Sequence, residues 1–223
     1  MGQKEWTAVD HYITGLFVGR DPALDATLRA CAKEGFPPIS VSPPQGKLLT
    51  ILARLQGARD ILEIGTLGGY STICLARGLQ AGGHLITLEI NPEHARVALA
   101  NIAEAGLNDR VELRLGPALD SLASLAAGGG KRFDLIFIDA DKVNNPKYFA
   151  WALKLSHKGT LIIVDNVVRK GTVLDASSKD QSTLGSRRFN RMAASEPRVI
   201  VTEIQTVGVK GYDGFALALV VAE

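Results

Sequence analysis

Two short stretches hold residue types suited to binding a cation and moving a proton. They are Asp139-Ala140-Asp141-Lys142 and Asp165-Asn166. Each follows an apolar run, Phe137-Ile138 in the first case and Ile162-Ile163-Val164 in the second. Such runs read as buried strands, and open α/β sheets bind ligands just past the carboxyl ends of their strands. Neighbouring strands lie ~4.8 Å apart. If these two pair directly, Asp139, Asp165 and Asn166 converge. Two carboxylates and an amide oxygen are hard donors that suit Mg2+, or another divalent cation such as Ca2+ or Mn2+, rather than zinc. Mg2+ takes about six oxygens, so a set of this size leaves places for substrate or water. Without a cation the clustered carboxylates would repel one another. A lysine beside such a cation gives up its proton more readily, because like charge disfavours the protonated form. Lys142 is therefore a candidate general base. Taken singly, each acid reads as a helix N-cap and Lys142 as a solvated lysine; their joint occurrence points to a metal and a base.

A second stretch, Asp60-Ile61-Leu62-Glu63-Ile64-Gly65-Thr66-Leu67-Gly68-Gly69-Tyr70-Ser71, reads as strand, glycine turn and helix start. Glycine suits a sharp turn that must also lie close to a ligand, and the N–H groups of the next helix face the same crevice. The spacing is not the G-x-G-x-x-G of dinucleotide folds, since Leu67 stands two residues after Gly65. Glu63 beside the turn would repel a pyrophosphate and favour a cationic ligand. S-adenosylmethionine, with a sulfonium and an amino group and no phosphate, is such a ligand. Glu89, closing the next apolar run Leu85-Ile86-Thr87-Leu88, is placed to accept both ribose hydroxyls.

The elements that must position these groups follow from periodicity. Residues 1–58 read as helices without a strand: Trp6, Val9, Ile13, Leu16 and Phe17 recur at helical spacing, Asp21-Pro22 opens a second helix, and Ser42-Pro43-Pro44 opens a third. From Ile61 onward strand runs (61–64, 85–90, 111–115, 133–139, 159–165, 199–205, 214–222) alternate with helical runs (70–80, 92–105, 117–127, 144–157, about 182–195). Alternation of this kind predicts an α/β fold with a mostly parallel sheet. The loop Thr206 to Asp213 is too short for a parallel crossover, so the last strand is expected antiparallel. Gly128-Gly129-Gly130 reads as a flexible turn. Arg169 to Ser186, long and rich in Ser and Gly, reads as a lid or binding loop.

Length and composition narrow the function further. The chain has 223 residues, 46% of them hydrophobic, with a formal net charge of +2. One domain with a full core fits that length. So small a charge, with no basic stripe, gives no nucleic-acid footprint, and Arg187-Arg188 reads as solvated. No apolar run reaches membrane length. Met1 to Asp10 lacks a signal-peptide core, so a cytoplasmic protein is expected. Cys31 and Cys74 read as small apolar groups, and no Cys/His metal spacing occurs. His11, His84, His94 and His157 stand apart and are assigned no chemistry.

Taken in order, these motifs resemble the cation-dependent, S-adenosylmethionine-dependent O-methyltransferases, the catechol and caffeoyl-CoA O-methyltransferase group and its bacterial members in particular. The resemblance runs from Val41-Ser42-Pro43 through the glycine stretch, Glu89, Gly116-Pro117-Ala118, Asp139 to Lys142 and Asp165-Asn166-Val167, and ends at Gly211-Tyr212-Asp213-Gly214-Phe215. It implies a single Rossmann-like methyltransferase domain, with 1–58 as a helical preface and 59–223 as a core of seven strands, the last antiparallel. It implies that Val41, Glu63, Gly65, Thr66 and Ser71 line the methionine part of the cofactor, that Glu89 holds the ribose and that Ala118 lies by the adenine. Asp139, Asp165 and Asn166 would bind the metal, Asp139 also lying near the cofactor, and Lys142 would be the base. Family members are often dimers, so a homodimer is expected.

Two positions depart from the family. Asp141 stands where the animal catechol enzymes have an aromatic residue, and Arg169 where the plant enzymes have Trp. Arg169 is expected to meet an acidic group on the substrate. The expected reaction is methyl transfer to a hydroxyl of an aromatic vicinal diol, with no nucleic acid and no membrane as partner. Three rivals stand beside it: a nicotinamide oxidoreductase in the same crevice, a non-catalytic S-adenosylmethionine-binding protein, and, more weakly, a nucleic-acid methyltransferase. The irregular glycine spacing, the intact acid and lysine set, and the lack of an Asn-Pro-Pro-Tyr-type motif argue against them in turn.

Overall fold

The computed structural model describes residues 2–128 and 132–222. Seven strands, β1 (Asp60–Ile64), β2 (His84–Glu89), β3 (Val111–Leu115), β4 (Phe133–Ile138), β5 (Ser156–Asp165), β6 (Val199–Gly208) and β7 (Gly211–Val220), form one sheet in the order β3-β2-β1-β4-β5-β7-β6. Only β7 runs antiparallel to its neighbours, as expected for the last strand. The strand order reverses between β1 and β4, and a crevice opens there at the carboxyl ends.

Helices cover both faces, which is why the central strands read as unbroken apolar runs. Successive side chains of a strand point to opposite faces. Ile61, Leu135, Phe137 and Ile163 therefore pack beneath α3 (Pro43–Leu55), α4 (Tyr70–Ala76) and α5 (Pro92–Glu104). Leu62, Ile136, Ile138 and Val164 pack beneath α6 (Ala118–Ala127), α7 (Asn145–Lys154) and α8 (Gln181–Ser195). Phe149 and Phe189 meet edge to face at 5.2 Å on that second side. Before β1 the chain is helical as expected: α1 (Gln3–Ile13), a π-helical turn at Thr14–Val18, and α2 (Pro22–Lys33), capped by Asp21.

Three boundaries differ from expectation. The last turn of α7 closes at Lys154, and the chain enters β5 at Ser156. Polar residues belong to that strand because the Ser156 hydroxyl donates to Ala152 O (2.6 Å) and the Thr160 hydroxyl to Phe133 O (2.6 Å). The segment Thr206 to Asp213 is mostly strand, β6 and β7 joining through Val209 and Lys210 alone. Gly208 and Gly211 face each other in register at that turn. The long loop after β5 stops at Asp180, which caps α8 by accepting from Thr183 N, and Arg169–Leu174 within it is 3-10 helical. The expected glycine turn lies, beyond Gly128, outside the described residues. Among the described residues no helix is long and apolar enough to cross a membrane.

Candidate active site

A cavity of about 510 Å3 occupies the crevice. Val41, Gly65, Thr66, Ser71, Glu89, Ala118, Asp139, Lys142 and Asn166 line it, so most of the expected site residues share one wall-to-wall space. Glu63 and Asp165 stand behind that lining, 0% and 5% exposed.

The turn after β1 is built by close contacts. Gly65 has φ +100, and a Cβ there would lie 2.3 Å from Asp139 O. Asp139 N in turn donates to Ile64 O at 2.9 Å, so the two loops are tied backbone to backbone. A Cβ on Gly68 would lie 2.0 Å from Cys31 Sγ, which seats α2 against the turn. Glu89 locks the same turn from β2. Its Oε2 accepts from Thr66 N (3.3 Å) and Leu67 N (2.8 Å), and its Oε1 from Ile90 N and Asn91 N (2.9 Å each). Its carboxylate thus holds two loops in place and faces the cavity. A ribose hydroxyl there would share oxygens already engaged.

Glu63 is fully buried behind the cavity wall. Ser71 Oγ donates to its Oε1 at 2.6 Å, and the hydroxyls of Thr72 and Thr87 donate to its Oε2. Burial raises its pKa to about 7 against the downward pull of these three hydroxyls, with Asp139 adding a small further rise. Glu63 therefore reaches the cavity through Ser71 and by charge, not by contact.

The acid set forms where β4 and β5 pair directly, with Ile138 opposite Val164. Lys142 Nζ donates to Asp139 Oδ1 at 2.6 Å. Lys142 is held in place by α8: a Cβ on Gly185 would lie 2.1 Å from Lys142 O. Asp165 Oδ1 accepts from Asn166 N (2.8 Å) and Oδ2 from Gln45 Nε2 (2.9 Å). Asn166 adopts φ +57, a left-handed turn that Asn tolerates. Strand alternation stops at that residue, which allows the neighbours Asp165 and Asn166 to serve the same crevice. Burial and then the nearby Asp139 push the carboxyl of Asp165 well above the usual carboxylate range. Among the described residues no group of three or more His, Cys, Asp or Glu side chains could hold a metal ion.

Several wall residues were not legible in advance. His94 lies in the wall, 3.6 Å by Nδ1 from Glu89 Oε1, with its ring 4.5 Å from that of Phe36. Tyr148 lines the cavity and donates to Asp141 Oδ1, while Asn144 Nδ2 holds Asp141 Oδ2 at 2.6 Å. The position next to the candidate base is thus an Asp–Tyr pair. Arg169 also lines the cavity, and its backbone N donates to Asp213 Oδ1 at 2.8 Å. Of the expected lid, only Arg169 and Ser182 reach the wall.

Comparison with known proteins agrees with this arrangement. Residues 18–220 match the sequence model of a family described as O-methyltransferase. The chain is 52% identical, over 99% of its length and 100% of the relative's, to a catechol O-methyltransferase of Niastella koreensis. Its structure resembles that of an O-methyltransferase from Bacillus cereus in complex with SAH, with TM-score 0.96 and 56% identity over 97% of this chain and 99% of that one. It resembles equally the O-methyltransferase TomG of Streptomyces achromogenes in complex with SAM, with TM-score 0.96 and 49% identity over 100% of both chains. Likeness of this extent spans the glycine turn, the strand-end acids and the closing hairpin alike, and the chain belongs to the O-methyltransferase family.

Proposed function

We propose that the chain binds S-adenosylmethionine in the switch-point cavity and transfers its methyl group to one hydroxyl of a vicinal diol on an aromatic small molecule. The observation that carries this reading is the contact of the glycine turn with the acid set: Gly65 leaves no room for a side chain beside Asp139, and Asp139 is paired with Lys142. A cofactor on the turn and an acceptor at the acids would therefore share one space. The B. cereus and TomG structures, with SAH and SAM, and the catechol-methylating relative support the cofactor and the acceptor class.

On this reading Val41, Gly65, Thr66 and Ser71 face the methionine part, Glu89 the ribose and Ala118 the adenine. Glu63 orients Ser71 from behind and lends negative charge opposite the sulfonium. The donor set fits a divalent cation: its three groups are hard oxygen donors, and the buried Asp165 carboxyl is raised by burial and by the charge of Asp139 more than Lys142 lowers it. Asp139, Asp165 and Asn166 would hold it. A cation there supplies positive charge that stabilises a phenolate, whose parent phenol has a pKa near ~10. Lys142 Nζ accepts the proton of the acceptor hydroxyl. The hydroxyl oxygen forms a bond to the methyl carbon as the carbon–sulfur bond breaks, and S-adenosylhomocysteine leaves. The chain contributes mainly by positioning the two reactants.

Mass-spectrometric detection of methyl transfer to catechols, flavonoids and caffeoyl esters, with Mg2+ and with EDTA, tests the proposal. Equal transfer in both conditions removes the cation. Tighter binding of NADH than of S-adenosylmethionine, or no transfer to any diol, removes the reaction.

The same chain is proposed to pair with a second copy. Tyr12, Phe17, Leu55 and Val207 are exposed on α1, the π turn, α3 and β6, elements that adjoin one another. A monomer by light scattering would refute this. Two buried, unpaired thiols, Cys31 and Cys74, suit a reducing compartment such as the cytoplasm.

A further inference from the structure

We infer that Gln45, a residue of the helical preface, is a positioning residue for the cation site. The inference rests on the cation-dependent reading above.

Gln45 is the third residue of α3, after the cap Ser42 and the two prolines Pro43 and Pro44. A Ser-x-x-Gln start offers a reciprocal cap, in which the glutamine side chain turns back to the Ser backbone. Half of that cap forms: Gln45 N donates to Ser42 Oγ at 3.4 Å. The side-chain amide serves a different partner. Its Nε2 reaches Asp165 Oδ2 at 2.9 Å, a residue 120 positions further along the chain.

That bond completes the fixation of the Asp165 carboxylate. One oxygen is held by the N–H of the next residue, Asn166, and the other by Gln45. Rotation of the carboxylate would break both. A carboxylate oxygen keeps lone-pair capacity after accepting one hydrogen bond, so both oxygens remain usable by a cation. The amide is a suitable partner because it donates to the carboxylate without adding positive charge that would compete with a cation. Gln45 is also set on a stiff support. Two prolines precede it, and a Cβ on the following Gly46 would lie 2.9 Å from Cys74 Sγ and 3.0 Å from Tyr70 Cε1, so α3 is pressed against α4. Tyr70 itself lines the cofactor cavity. The preface thus reaches past the cofactor wall to the back of the acid set. Gln45 does not line the cavity, so its effect on cofactor and acceptor passes through Asp165. Partners that orient metal ligands in this way typically contribute ~10- to 100-fold in metal affinity.

The test is Mn2+ binding, followed by electron paramagnetic resonance on the full-length protein with S-adenosylhomocysteine present. Gln45→Leu keeps the bulk and removes the donor, and Gln45→Ala removes both. Both variants are expected to bind Mn2+ about 10-fold or more weakly, with S-adenosylhomocysteine affinity within about twofold of the parent. If the parent binds Mn2+ and both variants bind it equally well, the inference fails, whatever happens to their melting temperatures. If the parent itself binds no Mn2+, the cation-dependent reading fails first, and the role of Gln45 goes with it.

Discussion

Gly65 and Asp139 are in backbone contact: a side chain on the first would overlap the carbonyl oxygen of the second, 2.3 Å away. The contact joins the proposed cofactor turn to the proposed cation set. Gly65→Ala meets two obstacles at once, a φ of +100 and a backbone atom that cannot move aside cheaply. Backbone strain of that kind costs on the order of 1–3 kcal/mol, and relief requires Asp139 to shift. The expected outcome is a lower melting temperature together with loss of S-adenosylmethionine binding by calorimetry. Native melting and native affinity in the variant would show that the two loops are independent.

Lys142 pairs with Asp139 at 2.6 Å and lines the cavity. Lys142→Ala is expected to lower kcat by about 10²- to 10⁴-fold, the usual range for a lost general base, with S-adenosylmethionine affinity nearly unchanged. Lys142→Arg is the sharper variant. It keeps a cation beside Asp139 but cannot give up its proton at neutral pH. A base role predicts that Arg fails as badly as Ala; if Arg restores most of kcat, Lys142 acts only through its charge.

Glu63 gives the clearest pH dependence. Its carboxyl holds a proton to about pH 7 in the folded chain, against an ordinary glutamate near 4.5. Between those values the folded state binds more protons than the unfolded one, so raising the pH destabilises the fold. The neutral form is fully present below about 4.5, and its benefit is lost as pH passes 7, a change on the order of 3 kcal/mol. The stability of the parent relative to Glu63→Gln should therefore fall between pH 5 and pH 8. A sulfonium nearby favours the charged carboxylate, so the preference for S-adenosylmethionine over S-adenosylhomocysteine should rise over the same interval and flatten in Glu63→Gln. A ratio that is flat in the parent would sever Glu63 from the cofactor.

What could be read beforehand, and what could not, divides along a physical line. Asp139, Lys142, Asp165 and Asn166 were legible because each follows an apolar strand whose end the next residues mark. Pairing of β4 with β5 then brings them together without further information. The direction of Glu63 was not legible, since the hydroxyls that take it come from α4 and β2. Gln45, His94 and Tyr148 act across the fold, and their sequence neighbours look like ordinary helix starts. The hairpin was underestimated because Gly208 and Gly211 read as loop, although both lie in paired strands. Gly214 is needed there: a Cβ on it would lie 2.6 Å from Ile204 O.

Arg169 is expected to set which diols the cavity prefers. Arg169 and Lys170 adopt φ +53 and +54, uncommon for non-glycine residues, and Asp213 Oδ1 fixes the turn by accepting from Val168, Arg169 and Gly214 N–H groups. The guanidinium enters the cavity wall with Nε buried and without a hydrogen-bond partner, and with Nη1 4.0 Å from Asp213 Oδ2. An arginine held this loosely by its neighbours retains donors in a fork that matches a carboxylate. A diol bearing a carboxylate should therefore be preferred over plain catechol. Charge-assisted bonds of this sort are worth about 1.5–3 kcal/mol, so Arg169→Ala should raise KM for 3,4-dihydroxybenzoate by about tenfold or more while leaving plain catechol nearly unaffected. Steady-state kinetics on the two acceptors separates the outcomes. A parallel rise for both would mean that Arg169 shapes the pocket through Asp213 and does not read the acid.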